Sequence, residues 1–159
     1  MFKIGDKIAY PMHGAGVIEG VENKRILGEE HQYYILKLSM GEIKVMVPIA
    51  KIEEIGIRYV VSEEQADVVI QEFRADDNDD SEQNWNKRYR ENIEKLKIGK
   101  LHDVAHVTKT LLLRDKRKSL SNAERKMLNN AKNVLISELV LSKNTDYQTI
   151  ENLLMNQIS

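Results

Sequence analysis

Two histidines and a run of aspartates are the side chains of this sequence that could hold a metal ion. His102 and His106 are four residues apart, so a helix would place both imidazoles on one face, a spacing that can hold zinc. No third or fourth ligand is evident beside them, and Asp103 stands where a zinc protease motif carries glutamate. The run from Asp76 to Asp80 lacks the glycine and the final glutamate of a calcium loop. We therefore expect two polar helix positions and a solvated loop, with no metal and no cofactor.

Phosphate-binding loops and thiol chemistry are also missing from the sequence. Gly14 and Gly16 supply G-x-G, but Glu19 occupies the third glycine position of a dinucleotide-binding motif, and a β-prone run follows instead of a helix. The chain has no cysteine, which excludes disulfides, thiolate zinc sites and thiol catalysis. The sequence therefore predicts a protein that is not an enzyme and takes no small-molecule substrate.

The segment from residue 84 to residue 90 combines the only tryptophan, Trp85, with three cations. Those cations are Lys87, Arg88 and Arg90. On a helix, Tyr89, Ile93 and Leu96 fall within about 80° of Trp85, which gives an apolar stripe flanked by basic side chains. Trp85 is then either the first core residue of an amphipathic helix or a ring that overhangs the bundle. In the second case the cations neutralise phosphates while the ring presses against unstacked bases.

Residues 1–61 show the pattern of a small β domain. Seven of the eight glycines and both prolines of the chain lie here, between short β-prone runs. The runs are residues 7–10, 17–22, 32–38, 43–47 and 57–61, with a charged bend over 23–30 and a longer connection over 48–56. Five short strands predict a strongly bent sheet or SH3-like barrel, whose edge strands offer backbone groups to a partner.

Residues 62–159 change to the helical period. Capping boxes beginning at Ser62 and Ser121 open two of the helices, and Gly99 ends another. The predicted helices cover about 62–74, 82–97, 101–116 and the residues after 121, with a fifth capped by Asn144 or Thr145. The sequence thus predicts an α+β protein, a β head followed by a compact bundle of about five helices.

The charge is unevenly distributed along the 159 residues. The net charge is −1, yet residues 1–60 sum to zero, 61–82 to −8 and 83–159 to +7. A basic tail behind an acidic segment indicates that one partner is a polyanion. The first residues do not form a signal peptide, and no apolar run reaches the roughly 20 residues of a membrane span. We expect a cytoplasmic protein without a membrane partner.

Several motifs together resemble the CarD/CdnL family of bacterial transcription regulators. Residues 2–16 are similar to the family's F-x-x-G-D-x-V-x-Y-P-x-H-G opening, and residues 84–90 to its N-W-x-[KR]-R-Y-[KR] motif. Residues 120–128 resemble its L-S-x-x-E-[KR]-x-M-L motif, and Tyr33 to Leu36 and Val47-Pro48 also recur. The same head module occurs in the transcription-repair coupling translocase, but this sequence carries no motor motif.

The resemblance implies that a Tudor-like head, residues 1–61, docks on the β subunit of RNA polymerase through a sheet edge. It implies that the helical tail, residues 62–159, contacts promoter DNA at the upstream edge of the melted bubble and stabilises the open complex. A sigma factor is left open as a further contact. The polymerase-binding residues implied are Arg25, Lys44, Met46, Val47 and Pro48, with Met46 standing where many relatives carry a cation. The DNA-binding residues implied are the wedge Trp85 with Lys87, Arg88, Arg90 and Lys126.

Two other functions remain open at this stage. A protein–protein adaptor would keep Trp85 in its core and use the basic face for an acidic protein. An autonomous nucleic-acid binder would show salt-dependent DNA affinity without polymerase.

Overall fold

The computed structural model describes residues 1–74 and 85–158. Its first part is a five-stranded antiparallel sheet with strand order β4-β3-β2-β1-β5. The strands are β1 (Lys7–Tyr10), β2 (Gly14–Ile26), β3 (Glu29–Leu38), β4 (Lys44–Pro48) and β5 (Arg58–Tyr59). The predicted connection over 48–56 contains a 3₁₀ turn (Ile49–Lys51) and the short helix α1 (Ile52–Ile55). The α+β fold class is confirmed.

The head has a small core on one face of the sheet. Strand alternation places Tyr34 and Leu36 of β3 on that face, and both are buried, as is Val47 of β4. Ile8, Ile18 and Ile57 complete the cluster. A core of this size leaves the opposite face of β3 and β4 only half-buried.

The charged stretch over residues 23–30, predicted as a bend, instead forms the outer part of a long hairpin. β2 and β3 pair continuously from Gly20 opposite Ile35 to Ile26 opposite Glu29, and only Leu27 and Gly28 turn the chain. The bend prediction was wrong because polar residues on both strand faces look like a loop in sequence. They suit a hairpin that is exposed on both faces, where Arg25 lies opposite Glu30.

The tail consists of five helices in the described residues. They are α2 (Glu63–Glu72), α3 (Trp85–Ile98), α4 (Leu101–Arg117), α5 (Asn122–Lys143) and α6 (Tyr147–Ile158). Their apolar faces form one core, in which Leu111, Leu135, Leu139, Ile150 and Leu154 are fully buried. The helical bundle predicted from the 3.6-residue period is therefore confirmed. The predicted first turn of the second helix, before Trp85, lies outside the described residues.

The helix ends follow the predicted caps in two of three places. Ser62 forms a complete capping box with Gln65, and the Ser121 hydroxyl accepts a hydrogen bond from the Glu124 amide. The predicted cap of the last helix was wrong. Asn144 adopts the left-handed conformation that ends α5, whereas the Asp146 carboxylate accepts a 2.8 Å hydrogen bond from the Thr149 N–H, which lowers the pKa of Asp146.

Head and tail are joined by polar contacts around α5. The Glu138 carboxylate is buried and accepts two hydrogen bonds from the Arg58 guanidinium, at 2.7 and 2.9 Å, and one from the Val61 N–H at 3.0 Å. The neighbouring Ser137 hydroxyl accepts from the Ala15 N–H at 2.9 Å. Strands β2 and β5 are thus attached to one turn of α5.

A close backbone contact completes the joint. Gly99 ends α3 with a φ of +79°, and a Cβ added there would lie 2.9 Å from the Cβ of Pro11. The Gly99 carbonyl also accepts a hydrogen bond from Arg58 at 2.8 Å. Glycine is therefore required at residue 99 for two reasons. Its φ is positive, and the β1–β2 turn lies too close to leave room for a Cβ.

Gly99→Ala should destabilise the protein more than a matched glycine substitution. Gly28 has nearly the same φ, +82°, but an added Cβ would meet nothing within 4 Å. Gly28→Ala should cost about 1–2 kcal/mol for the left-handed conformation alone. Gly99→Ala should add roughly 1–3 kcal/mol for overpacking against Pro11. Denaturant unfolding measures the free energy of unfolding of both variants. Equal losses would show that the close approach of Pro11 adds no cost to a side chain at residue 99.

Candidate functional site

Trp85 stands at the first residue of α3 and does not enter the core. Its side chain is 40% exposed and stacks on Tyr89, with ring centroids 5.1 Å apart and planes 12° from parallel. Tyr89 is half-buried and packs against the tail core. The two rings therefore form a ridge, the Trp85–Tyr89 ridge, that rises from the bundle. The interpretation of Trp85 as a core residue is wrong.

The ridge owes its position to the start of α3. The residues that α3 buries most are Arg88, Asn92 and Leu96, and Trp85 lies one turn before the first of them on nearly the same side. At the first residue of the helix, only part of the surface of a large ring packs against the bundle. The stacking on Tyr89 fixes the ring orientation, while the rest of the indole faces solvent.

Grooves lie on both sides of the ridge. One of about 440 Å³ is lined by Trp85 and by the α4–α5 corner, including Lys118 and Ser121. Another of about 480 Å³ is lined by Tyr89, Ile93, Lys126 and Met12, a residue of the β1–β2 turn. The head therefore reaches the same helix that carries the ridge.

Arg88, which the resemblance implies as a DNA contact, is buried beneath the ridge in this structure. Its side chain is 7% exposed and its Nε donates to the Glu124 carboxylate, itself 3% exposed, at 3.1 Å. A guanidinium held in this way between two helices is not presented to a phosphate. Glu124 uses its carboxylate for this pair, so the predicted capping box at Ser121 keeps only its hydroxyl half.

The other predicted DNA-binding cations are on the surface. Lys87 is exposed and lies 4.0 Å from the Glu91 carboxylate, while the Arg90 Nε donates to the Asn86 carbonyl at 3.4 Å. Lys126 is exposed on the first turns of α5, in the groove beside Tyr89. The structure thus brings Trp85 and Lys126 to the ridge, with Lys87 and Arg90 along the exposed side of α3.

The corner between α4 and α5 is fixed by Asp115. Its carboxylate accepts from the Arg125 guanidinium at 2.9 Å and from the Leu120 N–H at 3.3 Å. The Arg125 hydrogen bond, followed by the Leu120 bond, lowers the pKa of Asp115. An ionised Asp115 at neutral pH therefore holds the residues that line the groove beside Trp85.

The predicted polymerase-binding residues of β4 lie on an edge strand. The Leu38 N–H donates to the Ile43 carbonyl at 2.8 Å, so the alternation of an antiparallel pair directs the backbone groups of Val45 and Val47 toward β3. The backbone groups of Lys44 and Met46 then point outward from the sheet. Their edge is available for a partner strand.

The β4 side chains divide between the two faces of the sheet. Lys44 is exposed, with its ammonium 3.1 Å from the Glu19 carboxylate, whereas Met46 and Pro48 are only partly exposed. Val47 is fully buried in the head core. Of the predicted polymerase-binding residues, Val47 could therefore take part only through the backbone of the strand.

Arg25 lies apart from β4, near the end of the β2–β3 hairpin. It is exposed and its cross-strand neighbour is Glu30. The predicted polymerase set therefore covers two places on the head, the β4 edge and the hairpin end, which share strand β3.

The histidine pair forms no metal cluster in the described residues. The ring of His102 lies 3.0 Å from the Glu72 carboxylate, and within 1–74 and 85–158 no three side chains of the ligating types stand close enough to share an ion. None of the helices in these ranges is long and apolar enough to cross a membrane.

Comparison with known proteins covers both halves of the chain. Residues 2–61 match the model of the CarD-like/TRCF RID domain, and residues 68–155 match that of the CarD C-terminal domain. The putative transcription factor YdeB of Bacillus subtilis is 39% identical over 152 residues, which is 96% of this chain and 99% of that protein.

A solved structure also matches the head. The solution NMR structure of the 72-residue N-terminal domain of Myxococcus xanthus CarD is 25% identical, with 37% of this chain and 79% of that chain covered. Its TM-score is 0.33. The two family models and the full-length similarity to YdeB show that the chain belongs to the CarD/CdnL family of transcription regulators.

Proposed function

We propose that this regulator binds the β subunit of RNA polymerase through its head and stabilises the open promoter complex with its tail. The Trp85–Tyr89 ridge would lie at the upstream edge of the melted bubble, with Lys87, Arg90 and Lys126 against phosphates. The observation that carries the proposal is the exposure of Trp85, the only tryptophan, among cations on a helix of the basic tail. The protein would act without chemistry of its own.

The ridge fits unstacked bases better than an intact duplex edge. A ring that is 40% exposed and held by Tyr89 offers a flat apolar surface with a fixed orientation. Stacking of one base on such a ring is worth about 1–3 kcal/mol and tolerates any sequence. A wedge of this kind favours DNA that is already kinked or melted, so binding shifts the equilibrium toward the open complex.

The head fits a partner that adds a strand. The outward backbone groups of Lys44 and Met46 provide the hydrogen bonds, and the partly exposed Met46 side chain provides apolar contact. Met46 stands where many relatives carry a cation. The polymerase surface that contacts Met46 should therefore be less acidic than a surface that contacts a cation.

Joining the two contacts makes each of them effective. A few exposed cations and one ring give weak DNA binding, but a head attached to polymerase raises the local concentration of the tail at the promoter. The joint at Glu138 holds the tail in one orientation to the head, so less orientational freedom is lost when the second contact forms.

Of the two alternatives, the protein–protein adaptor is disfavoured, because it requires Trp85 in the core and Trp85 is 40% exposed. An autonomous DNA binder would bind promoter fragments tightly without polymerase. Gel-shift titration with and without polymerase separates that function from the one proposed.

Trp85→Ala should shorten the lifetime of open complexes by roughly five- to 150-fold, the equivalent of one lost base stack. The protein should stay folded, because the ring contributes little to the core. Ile98→Ala is a matched control, since Ile98 ends the same helix and is 59% exposed. Lifetimes are measured by competitor challenge of preformed complexes. An unchanged lifetime with a folded, polymerase-bound Trp85→Ala protein would exclude the wedge.

Arg88→Met should destabilise the protein by about 3–5 kcal/mol, because it leaves the buried Glu124 carboxylate without its cation. The double variant Arg88→Met, Glu124→Leu should regain much of that loss, which denaturant unfolding measures. It should also retain polymerase-dependent protection of promoter DNA. A stable double variant that lost this protection would return Arg88 to the phosphate contacts.

Lys87→Ala combined with Arg90→Ala should weaken promoter protection and reduce its dependence on salt by about two counterions. Lys97→Ala is the control, because Lys97 is an exposed cation at the far end of α3, 3.8 Å from Glu94. Footprinting of the polymerase complex over a series of salt concentrations gives the slopes. Equal slopes for wild type and the double variant would place these cations away from DNA.

A further inference from the structure

The β2–β3 hairpin extends beyond the rest of the sheet as a two-stranded arm. β1 pairs with β2 only as far as Val17, and β4 pairs with β3 only from Tyr33 onward. Every residue from 21 to 32 is exposed. A two-stranded hairpin without a third strand or a packed face has little stability of its own. The packing of the head core therefore does not account for the presence of this arm.

The tip of the arm has an unusual residue for its geometry. Leu27 and Gly28 have φ values of +52° and +82°, the signs of a tight hairpin turn in which asparagine, aspartate or glycine is preferred first. Leucine is disfavoured in this left-handed region. Its side chain is 99% exposed, so no packing within the described residues compensates for the strain. Strain of this kind concentrates at sites that bind or act.

The surroundings of Leu27 resemble the centre of a small interface. The adjacent Ile26 is 44% exposed, and Val21, which is 50% exposed, lies farther back near the base of the same arm. Charged or ionisable side chains stand behind the tip, namely Lys24, Arg25, Glu29, Glu30 and His31. An apolar anchor with a polar rim is the arrangement that carries most binding energy in protein interfaces.

We propose that Leu27 is the apolar anchor of the head on RNA polymerase and inserts into an apolar recess of that enzyme. This inference rests on the proposed function. The arm shares β3 with the β4 edge, and a polymerase strand paired with β4 that runs past Pro48 leads toward the side of the arm that carries the unpaired part of β3, residues 29–32. The β4 edge, the rim around Arg25 and the Leu27 tip then form one continuous contact surface.

The test uses the full-length chain and purified bacterial RNA polymerase core enzyme. Leu27→Asn should raise the Kd for core enzyme at least about tenfold, the effect of losing one buried leucine. Its thermal unfolding midpoint should equal or exceed that of wild type, because asparagine accepts a positive φ. Leu27→Gly, which also accepts this backbone, should weaken binding equally, and Leu27→Met should retain most of it. Leu153→Asn on α6, where the leucine is 36% exposed, is the control for loss of a surface leucine.

A higher Kd together with an equal or higher unfolding midpoint in Leu27→Asn supports the anchor. The loss of a leucine that served only the fold would lower both the affinity and the stability. If wild type binds core enzyme and Leu27→Asn and Leu27→Gly bind equally well, the anchor is overturned and the proposed function stands. If wild type does not bind core enzyme, both are overturned. Self-association of wild type that Leu27→Asn abolishes, with polymerase affinity unchanged, would assign the tip to a second copy and overturn the proposal.

Discussion

The buried carboxylate of Glu138 is the group on which the arrangement of the molecule depends. It belongs to α5, the longest helix, yet the groups that neutralise it, the Arg58 guanidinium and the Val61 N–H, belong to the end of the head. A buried carboxylate without its cation is costly by several kcal/mol. Neither half of the chain satisfies this charge alone, so the tail is stable in the orientation that brings β5 to α5.

Strand β2 connects that joint to the proposed polymerase contact. Its first residues, Gly14 and Ala15, lie against Ser137, and its last residue, Ile26, precedes the tip of the arm. Thirteen residues of strand span roughly 40 Å. Since Met12, just before β2, lines the same groove as Tyr89, one continuous segment runs from that groove to the opposite end of the head. The two proposed contacts therefore lie at opposite ends of this segment.

Sequence signals that act within a few residues predicted most helices and strands. They did not predict the pairing of residues or strands that are distant in the chain. Ser62, Ser121 and Gly99 mark helix ends because caps and left-handed residues act within a few positions. The burial of Arg88 depends on Glu124, 36 residues away, and residue types alone do not show that pairing. One signal was present: the helical wheel places Arg88 only about 60° from Trp85, on the side that faces the bundle. The long hairpin was missed because its polar strands lack the alternation of a half-buried sheet.

Base stacking that does not read the sequence is sufficient for the proposed role. Stacking worth about 1–3 kcal/mol changes an equilibrium by roughly five- to 150-fold, which is enough to move a promoter between mostly closed and mostly open. The same stacking alone gives no useful affinity for DNA, because association in solution costs at least about 4 kcal/mol. In the proposed function, the head would offset that cost by holding the tail at the promoter. Trp85 would then act on the open fraction without selecting a sequence, and under the proposed function a promoter's own tendency to melt would decide how strongly it responds.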